Sequence, residues 1–471
     1  MVVSSQLSEN KKLFRQILPA EKSFDIIERD INIGGIDATL YFIDGFLKDE
    51  VMEKVVTNLL KVTEKEMQQV KSAKDFMQRF VSYVEVTTEK NVQNLTDQLL
   101  AGPSILFVDG LDEAIVVDVR TYPARSTEEP EKEKVMRGSR DGFVETIVFN
   151  TALIRRRIRD PNFIVEMVTV GKRSKTDIAI AYIEDLTDKK TLQQIKSKIE
   201  SIDVKSLTMN QESLAECLIR RRWYNPFPKV RYTERPDVAA ASILDGSIII
   251  LVDNDPSAMI LPTSLLDFVQ EPDDYYYPPV IGGYLRLVRN LVFFSTLVVT
   301  PLWILALEYL DRLPEWLQFL GISEPNSIPV IIQLLILEAA IDVLRLASVN
   351  TPSMLGNSLS IIGALLLGEF AIKSGWLVPD TILYMAFVSI ASFAQPSIEL
   401  NYAFKFMRIL LLLATYFFRI WGFVAGFVVV LIFIATNKTV TGKGYLYPLI
   451  PFNMKELKNH LLREKLRSRL K

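Results

Sequence analysis

Apolar and polar positions follow three different rhythms along the chain. Ala38–Asp44 and Ile178–Glu184 alternate in the manner of half-buried strands. Each leads into a stretch of helical period, Asp49–Val62 and Lys189–Ile202, which predicts a strand followed by an amphipathic helix. Further along, "FVDGLDEAIVVDV" and "ILVDNDPSAMIL" set strand-forming runs on either side of turn residues and predict two hairpins. From Asn290 to Thr436 the chain turns into long apolar runs, the mark of an integral membrane domain.

The strand and hairpin signals recur in order. "LAGPSILFVDGLDEA" and "LDGSIIILVDNDPSA" share L-x-G-x-x-I-x-x-V-D-x-x-x-x-A, with Gly102 and Gly246, like Asp109 and Asp253, 144 residues apart. Upstream, "IDATLYFIDGF" and "TDIAIAYIEDL" repeat at an offset of 140. The predicted fold is therefore an α/β region of two tandem similar subdomains followed by an all-α multi-span membrane domain. Asp109 and Asp253 read as turn residues rather than metal or catalytic groups. The expected bounds are an N-terminal extension (1–23), the first subdomain (24–125), a linker and connecting helix (126–161), the second subdomain (162–275), the membrane domain (276–437) and a basic tail (438–471).

Between the copies, "TYPARSTEEPEKEKVMRGS" is charged and broken by proline, a linker or exposed loop. "RDGFVETIVFNTALIRRRIRDPNF" then runs into a helix ended before Pro161. Phe143, Ile147, Leu153 and Ile154 can bury one face of it, and Arg155, Arg156, Arg157 and Arg159 make a basic end. That end either complements the helix dipole or docks the soluble subdomains to each other or to a neighbouring subunit. Phe143, Arg155, Arg156 and Arg157 are the subunit-interface candidates.

Four apolar runs suit membrane spans: Leu291–Leu307, Leu355–Ile372, Thr381–Ile398 and Ile409–Asn437, the last broken only by Arg419. The tail from Lys438 holds nine Lys/Arg against two Glu, which places it on the cytosolic side and suits contact with anionic lipid. "PVIIQLLILEAAIDVLRLAS", Pro329–Ser348, is ambiguous because Glu338, Asp342 and Arg345 share one helical stripe. It is a further span if the last run splits at Arg419, or a helix lying along the membrane, or the wall of a polar conduit. An Asp342–Arg345 pair sealing helices together competes with the conduit. Lipid exposure of a central charge costs ~2.5–3.5 kcal/mol and is disfavoured throughout. Within the stripe alone, two acids against one base favour cations. Glu369 either joins the same path or pairs with Lys373 at i+4.

Composition narrows the chemistry. The 471 residues carry a net charge of −2, one cysteine (Cys217) and one histidine (His460). Those single copies leave no disulfide, no cysteine-rich zinc site and no His-based triad. There is no Walker sequence, no G-x-S-x-G and no paired catalytic carboxylates, so neither an enzyme nor a cofactor is expected. The near-neutral balance gives no basis for nucleic-acid binding. "MVVSSQLSENKKLFRQ" has no apolar core of signal-peptide length, so the N-terminal region is expected in the cytosol.

Five stretches carry a family resemblance: "SRDGFVETIVFNTALIRRRIRDPNF", "RSKTDIAIAYIED", "NPFPKVRYTERPDVAAASILDGSIIILVDN", "LSIIGALLLGEFAIKSG" and "QPSIELNYAFKFMRILLLL". In this order they resemble the GerA family of spore germination receptor A subunits, over about Phe24 to Thr436. "PDDYYYPPVIGGYLRLVRNLVF" and the basic tail look most like its stage V sporulation protein AF branch. The resemblance implies a multi-pass protein of the spore inner membrane, its N-terminal domain and tail on the core side. It also implies a ring-like homo-oligomer, with a pentamer among its stoichiometries, that conducts ions and works with other germination membrane proteins, including a small membrane partner. The alternative is a non-conducting scaffold or sensor that assembles those proteins.

Overall fold

A computed structural model describes residues 1–122, 133, 138–219, 224–323, 327–350, 370–442 and 444–461. Most of the predicted linker, the Leu355–Ile372 span, Glu369 and the end of the basic tail lie outside the described residues. The chain forms two compact units, residues 1–220 with 230–262, and residues 221–229 with 263–471.

In the first unit, α1 (Leu7–Ile17) precedes a hairpin of β1 (Ile26–Ile33) and β2 (Ile36–Ile43). Gly34 and Gly35 both take positive φ (55° and 85°), as a two-residue hairpin turn requires. The helices α2 (Asp49–Leu60), α3 (Glu64–Met67) and α4 (Ala73–Phe80) follow, then β3 (Val86–Glu89), α5 (Val92–Leu100), β4 (Ser104–Val108) and β5 (Ala114–Val117). The second half repeats the plan. It runs α6 (Ile147–Arg155), β6 (Phe163–Val170), β7 (Thr176–Ile183), α7 (Lys189–Glu200), α8 (Asn210–Leu218), β8 (Arg231–Thr233), α9 (Pro236–Leu244), β9 (Ile248–Val252) and β10 (Ala258–Leu261). Each half builds a five-stranded antiparallel sheet, ordered β1-β2-β4-β5-β3 and β6-β7-β9-β10-β8. The orders are equivalent.

Helices cover both faces of the first sheet. Tyr41, Ile43, Ile105 and Phe107 pack with α1 and α5, while Ala38, Leu40, Leu106 and Val108 pack with α2 and α4. Burial on both faces explains why "IIILV" is apolar throughout and "SILFV" is apolar but for Ser104. The halves also match in detail. Asp109 Oδ1 accepts the Leu7 N–H at the start of α1, and Asp253 Oδ1 accepts the Ile147 N–H at the start of α6. The Asn10 side chain closes a ring with the Ser4 backbone, and Asn150 does the same with Val144. Gly102 and Gly246 take φ of 113° and 88° just past α5 and α9. Internal similarity therefore reaches back into residues 1–23 and into 126–161, outside the bounds expected from strand motifs alone.

The connecting helix lies between the two halves. Ala152 belongs to the core of the first, while Phe143, Ile147, Leu153 and Ile154 belong to that of the second. A Cβ on Gly45 would fall 2.9 Å from the Ala152 Cβ, so a glycine there permits the approach. Arg155, fully buried, donates to Asp25 through Nε (2.7 Å) and Nη2 (3.1 Å) and to the Phe163 carbonyl (2.9 Å). Arg156 lies over the Tyr122 ring, and Arg157 bonds Asp141 and Ser139. Phe143 and Arg155 are thus buried inside the chain, and Arg156 and Arg157 are engaged within it. Of the two dockings expected of this helix, these contacts are of the kind that joins the halves to each other.

The second unit is helical. A short α10 (Asp273–Tyr276) leads into α11 (Pro279–Glu308), then α12 (Val330–Asn350), α13 (Ala371–Lys373), α14 (Pro379–Phe393), α15 (Ile398–Thr436) and α16 (Met454–Leu461). By length and composition α11 and α15 could cross a membrane. Yet α15 is not continuous. Arg419 sits at φ 54°, ψ −133°, and the chain reverses there. Met407 and Leu411 on the first arm pack in one cluster with Val430 and Ile434 on the second. A Cβ on Gly422 would overlap the Ala414 carbonyl oxygen at 1.9 Å, so glycine permits the tight return. The last apolar run is a helical hairpin of arms 398–418 and 420–436.

Candidate functional site

The site lies where α11, α12 and the first arm of α15 meet. α12 is apolar enough to stay inside the bundle and lacks glycine or proline in its interior, so Glu338, Asp342 and Arg345 keep helical spacing. The arm 398–418 brings Lys405 and Arg408, three residues apart on one face, against that stripe. Arg408 reaches Glu338 Oε1 through Nε and Nη2, both at 2.7 Å, and donates to the Thr296 carbonyl of α11 at 3.3 Å. Lys405 Nζ donates to the Glu338 carbonyl at 2.8 Å, lies 3.5 Å from Glu338 Oε2 and pairs with the Asp342 carboxylate. Glu338 is 4% exposed, and the Asp342 side chain 33%. Arg345 stacks near Phe393 and Tyr402, at 5.0 and 5.4 Å from the ring centroids, and reaches Ser392 Oγ at 3.5 Å.

This arrangement bears on two expectations. The stripe faces protein, and the apolar residues Ile332, Ile336, Val343 and Leu346 are the exposed side of α12. Asp342 pairs with Lys405 on another helix rather than with Arg345. Among the described residues, Lys405 and Arg408 bring the cluster to three bases against two acids, so the negative excess of the stripe alone is offset there. Sequence reasoning missed Lys405 and Arg408 because it began the last apolar run at Ile409. Their i,i+3 spacing in "NYAFKFMRILLLL" was the available signal.

A second ionic knot holds α11 near its start. Asp274, buried, accepts from Arg286 Nε (3.1 Å) and from Arg289 Nη1 and Nη2 (3.0 and 2.9 Å), and Arg289 also pairs with Glu271 at 2.7 Å. The Arg286 guanidinium bonds the His460 carbonyl of α16 at 3.3 Å, and the His460 ring contacts Gln270. His460 is therefore a docking residue of the C-terminal helix rather than a free surface group.

Direction can be read from these contacts. Arg289 and Gln395 meet near one end of the bundle, Thr296 and Arg408 midway, and Glu308 and Arg419 at the other. α11 and the first arm of α15 thus run parallel. α12 runs against that arm, through Glu338–Arg408 and Asp342–Lys405, and alongside α14, through Gln333–Val378 and Arg345–Ser392.

Residues 12–471 match the family described as Bacillus/Clostridium GerA spore germination protein. The chain is 39% identical to stage V sporulation protein AF of Bacillus subtilis (strain 168), covering 97% of this chain and 92% of that protein. It is 30% identical to spore germination protein KA of the same organism, over 94% of this chain and 81% of the relative. The N-terminal domain of the A subunit of the Bacillus megaterium spore germinant receptor GerK3 has been solved by crystallography. It aligns with a TM-score of 0.42 and 26% identity, covering 55% of this chain and 96% of that one. Long apolar helices joined by a buried ionic cluster sit in the half of the chain that this family match also covers, and the chain belongs to the GerA family of spore germination proteins.

Proposed function

We propose that the protein is a multi-pass membrane subunit of the germination apparatus. In this reading it assembles with further copies of itself into a ring and releases ions across the spore inner membrane. Family membership supplies the germination role. One observation carries the ionic role: Glu338, buried among apolar helices, is held by Arg408 and Lys405 of a different segment. Each charge placed there costs ~2.5–3.5 kcal/mol on insertion scales, and apolar packing would join helices without that cost. A cluster whose pairs all cross from α12 to α15 suits a latch. While paired, it holds the two helices together; when water enters between them, hydration replaces the pairs and a path opens. With the acids offset by bases among the described residues, closure rather than ion choice is the task the cluster suits.

Helix directions support six traverses. α11 and the first arm of α15 run one way and α12, α14 and the second arm the other, so these five traverses with the Leu355–Ile372 span expected from sequence would bring both ends of the helical unit to one side. The basic tail makes that side the core side. Partner membrane subunits, a small membrane protein among them, complete the assembly. Purified full-length protein in potassium-loaded liposomes is expected to release potassium faster than protein-free liposomes do. No release from intact oligomers of either the wild type or Glu338→Gln/Asp342→Asn would contradict conduction and leave the non-conducting scaffold.

A further inference from the structure

Three separate segments expose large aromatic rings at one end of the helical unit. The 3₁₀ turn Glu315–Leu320 exposes Trp316 (72%) and Phe319, which are three residues apart and so share one side of a three-residue turn. Trp376 (60%) stands in the turn before α14, and Trp421 (78%) two residues past the reversal at Arg419, beside exposed Phe417 and Phe418. Three contacts fix these segments near the end of α11. The Trp303 indole N–H donates to the Leu320 carbonyl at 2.9 Å, and Asp380 accepts the Ser323 N–H at 3.0 Å. Arg419 pairs with Glu308, the last residue of α11, at 2.7 Å.

We infer that this rim is a lipid-binding surface, seated at the headgroup boundary of the leaflet reached by the Glu308 end of α11. Indole suits that level, because its ring prefers the acyl side and its N–H can donate to headgroup oxygens. The rings come from three connections at one end of the bundle rather than from a seam along one helix. That is the pattern of a belt, whereas helix–helix contacts in membranes run along a face and favour small residues. Asp311, Arg312 and Glu315, exposed in the same connector as Trp316, supply the charge that stays in water. The inference rests on the membrane location of this unit and is independent of conduction.

The full-length protein in phosphatidylcholine vesicles tests it, with lipids brominated either near the headgroup or near the acyl terminus as fluorescence quenchers. Shallow bromines are expected to quench tryptophan emission more strongly than deep ones. The combined variant W316F/W376F/W421F, which keeps Trp223 and Trp303, is expected to lose most of that shallow quenching. If the triple variant does not fold, each single substitution is expected to remove part of it. Equal quenching at both depths, or equal shallow quenching in wild type and variants, would overturn the inference. So would emission quenched by aqueous iodide and by neither lipid. Vesicle flotation separates the two layers of the claim. A chain that does not float contradicts the membrane location itself, whereas a floating chain without shallow quenching contradicts only the rim.

Discussion

Single side chains join the halves of the first unit. Asp25 loses its hydration on burial and regains partners from Arg155 and from the Ser23 hydroxyl, which donates to Oδ1 at 2.6 Å, so removing the arginine leaves a buried carboxylate without its countercharge. Arg155→Met is expected to destabilise the unit by about 3–5 kcal/mol, and adding Asp25→Leu to restore much of that loss. Thermal unfolding of the full-length protein in detergent checks both, and a single variant that melts with wild type would refute the clamp. Lys22 and Glu184 form an exposed bridge between the same halves at 2.8 Å. The hydrogen bond from Lys22 holds the Glu184 carboxyl below its ordinary value of 4.5, and the same bond raises Lys22 above 10.5. A carboxyl with a lowered folded pKa contributes stability that is complete above its unfolded value and lost as pH falls through the folded one. A lysine with a raised folded pKa contributes below its unfolded value and loses that contribution as pH rises through the folded one. The stability difference between wild type and Glu184→Gln should therefore be flat from about pH 6 to 9 and shrink towards zero as pH falls below 4.5 through the lowered folded value. A difference that grows on acidification would show the bridge to be misassigned.

At the scale of elements, the decisive feature is the reversal at Arg419. The apolar run Ile409–Asn437 reads as one long span, and only the charge of Arg419 within it hints at a turn. In the folded chain a Cβ on Gly426 would lie 2.8 Å from Leu411 Cδ1. In a continuous helix the same two residues would stand roughly 22 Å apart. A Leu411→Cys/Gly426→Cys pair in a Cys217→Ser background is expected to form an intramolecular disulfide under mild oxidation. Failure to cross-link, with both thiols reactive to a small alkylating agent, would restore the single helix. The soluble strands and helices were far more legible. β2 and β7 begin and end within two residues of the stretches read as strands, because short runs rich in apolar and aromatic residues bounded by turn residues mark strand ends closely. What sequence could not give was the partner of each charge. Asp342 and Arg345 are neighbours on one helix, and only the packing of α15 sets Lys405 rather than Arg345 beside Asp342. Likewise, an arginine run at a helix end looks like a surface, and burial of Arg155 depended on Asp25, which lies 130 residues away.

The whole molecule is a duplicated sheet domain followed by an ionic bundle, and in the proposed function the α12–α15 cluster keeps an ion path closed. If so, weakening the pairs should favour the open form without dismantling the assembly. The most direct measurement is the potassium leak of liposomes carrying wild-type protein or Glu338→Gln/Asp342→Asn, compared at equal amounts of assembled protein. The amide side chains keep their size and hydrogen-bonding capacity but lose the charge that Lys405 and Arg408 hold. Loss of ~1–3 kcal/mol of closing energy corresponds to on the order of five- to 150-fold in a two-state equilibrium. The expected result is a spontaneous leak raised by a factor in that range, with the oligomer unchanged by size. A leak equal to or below that of wild type, from an equally assembled variant, would contradict the latch.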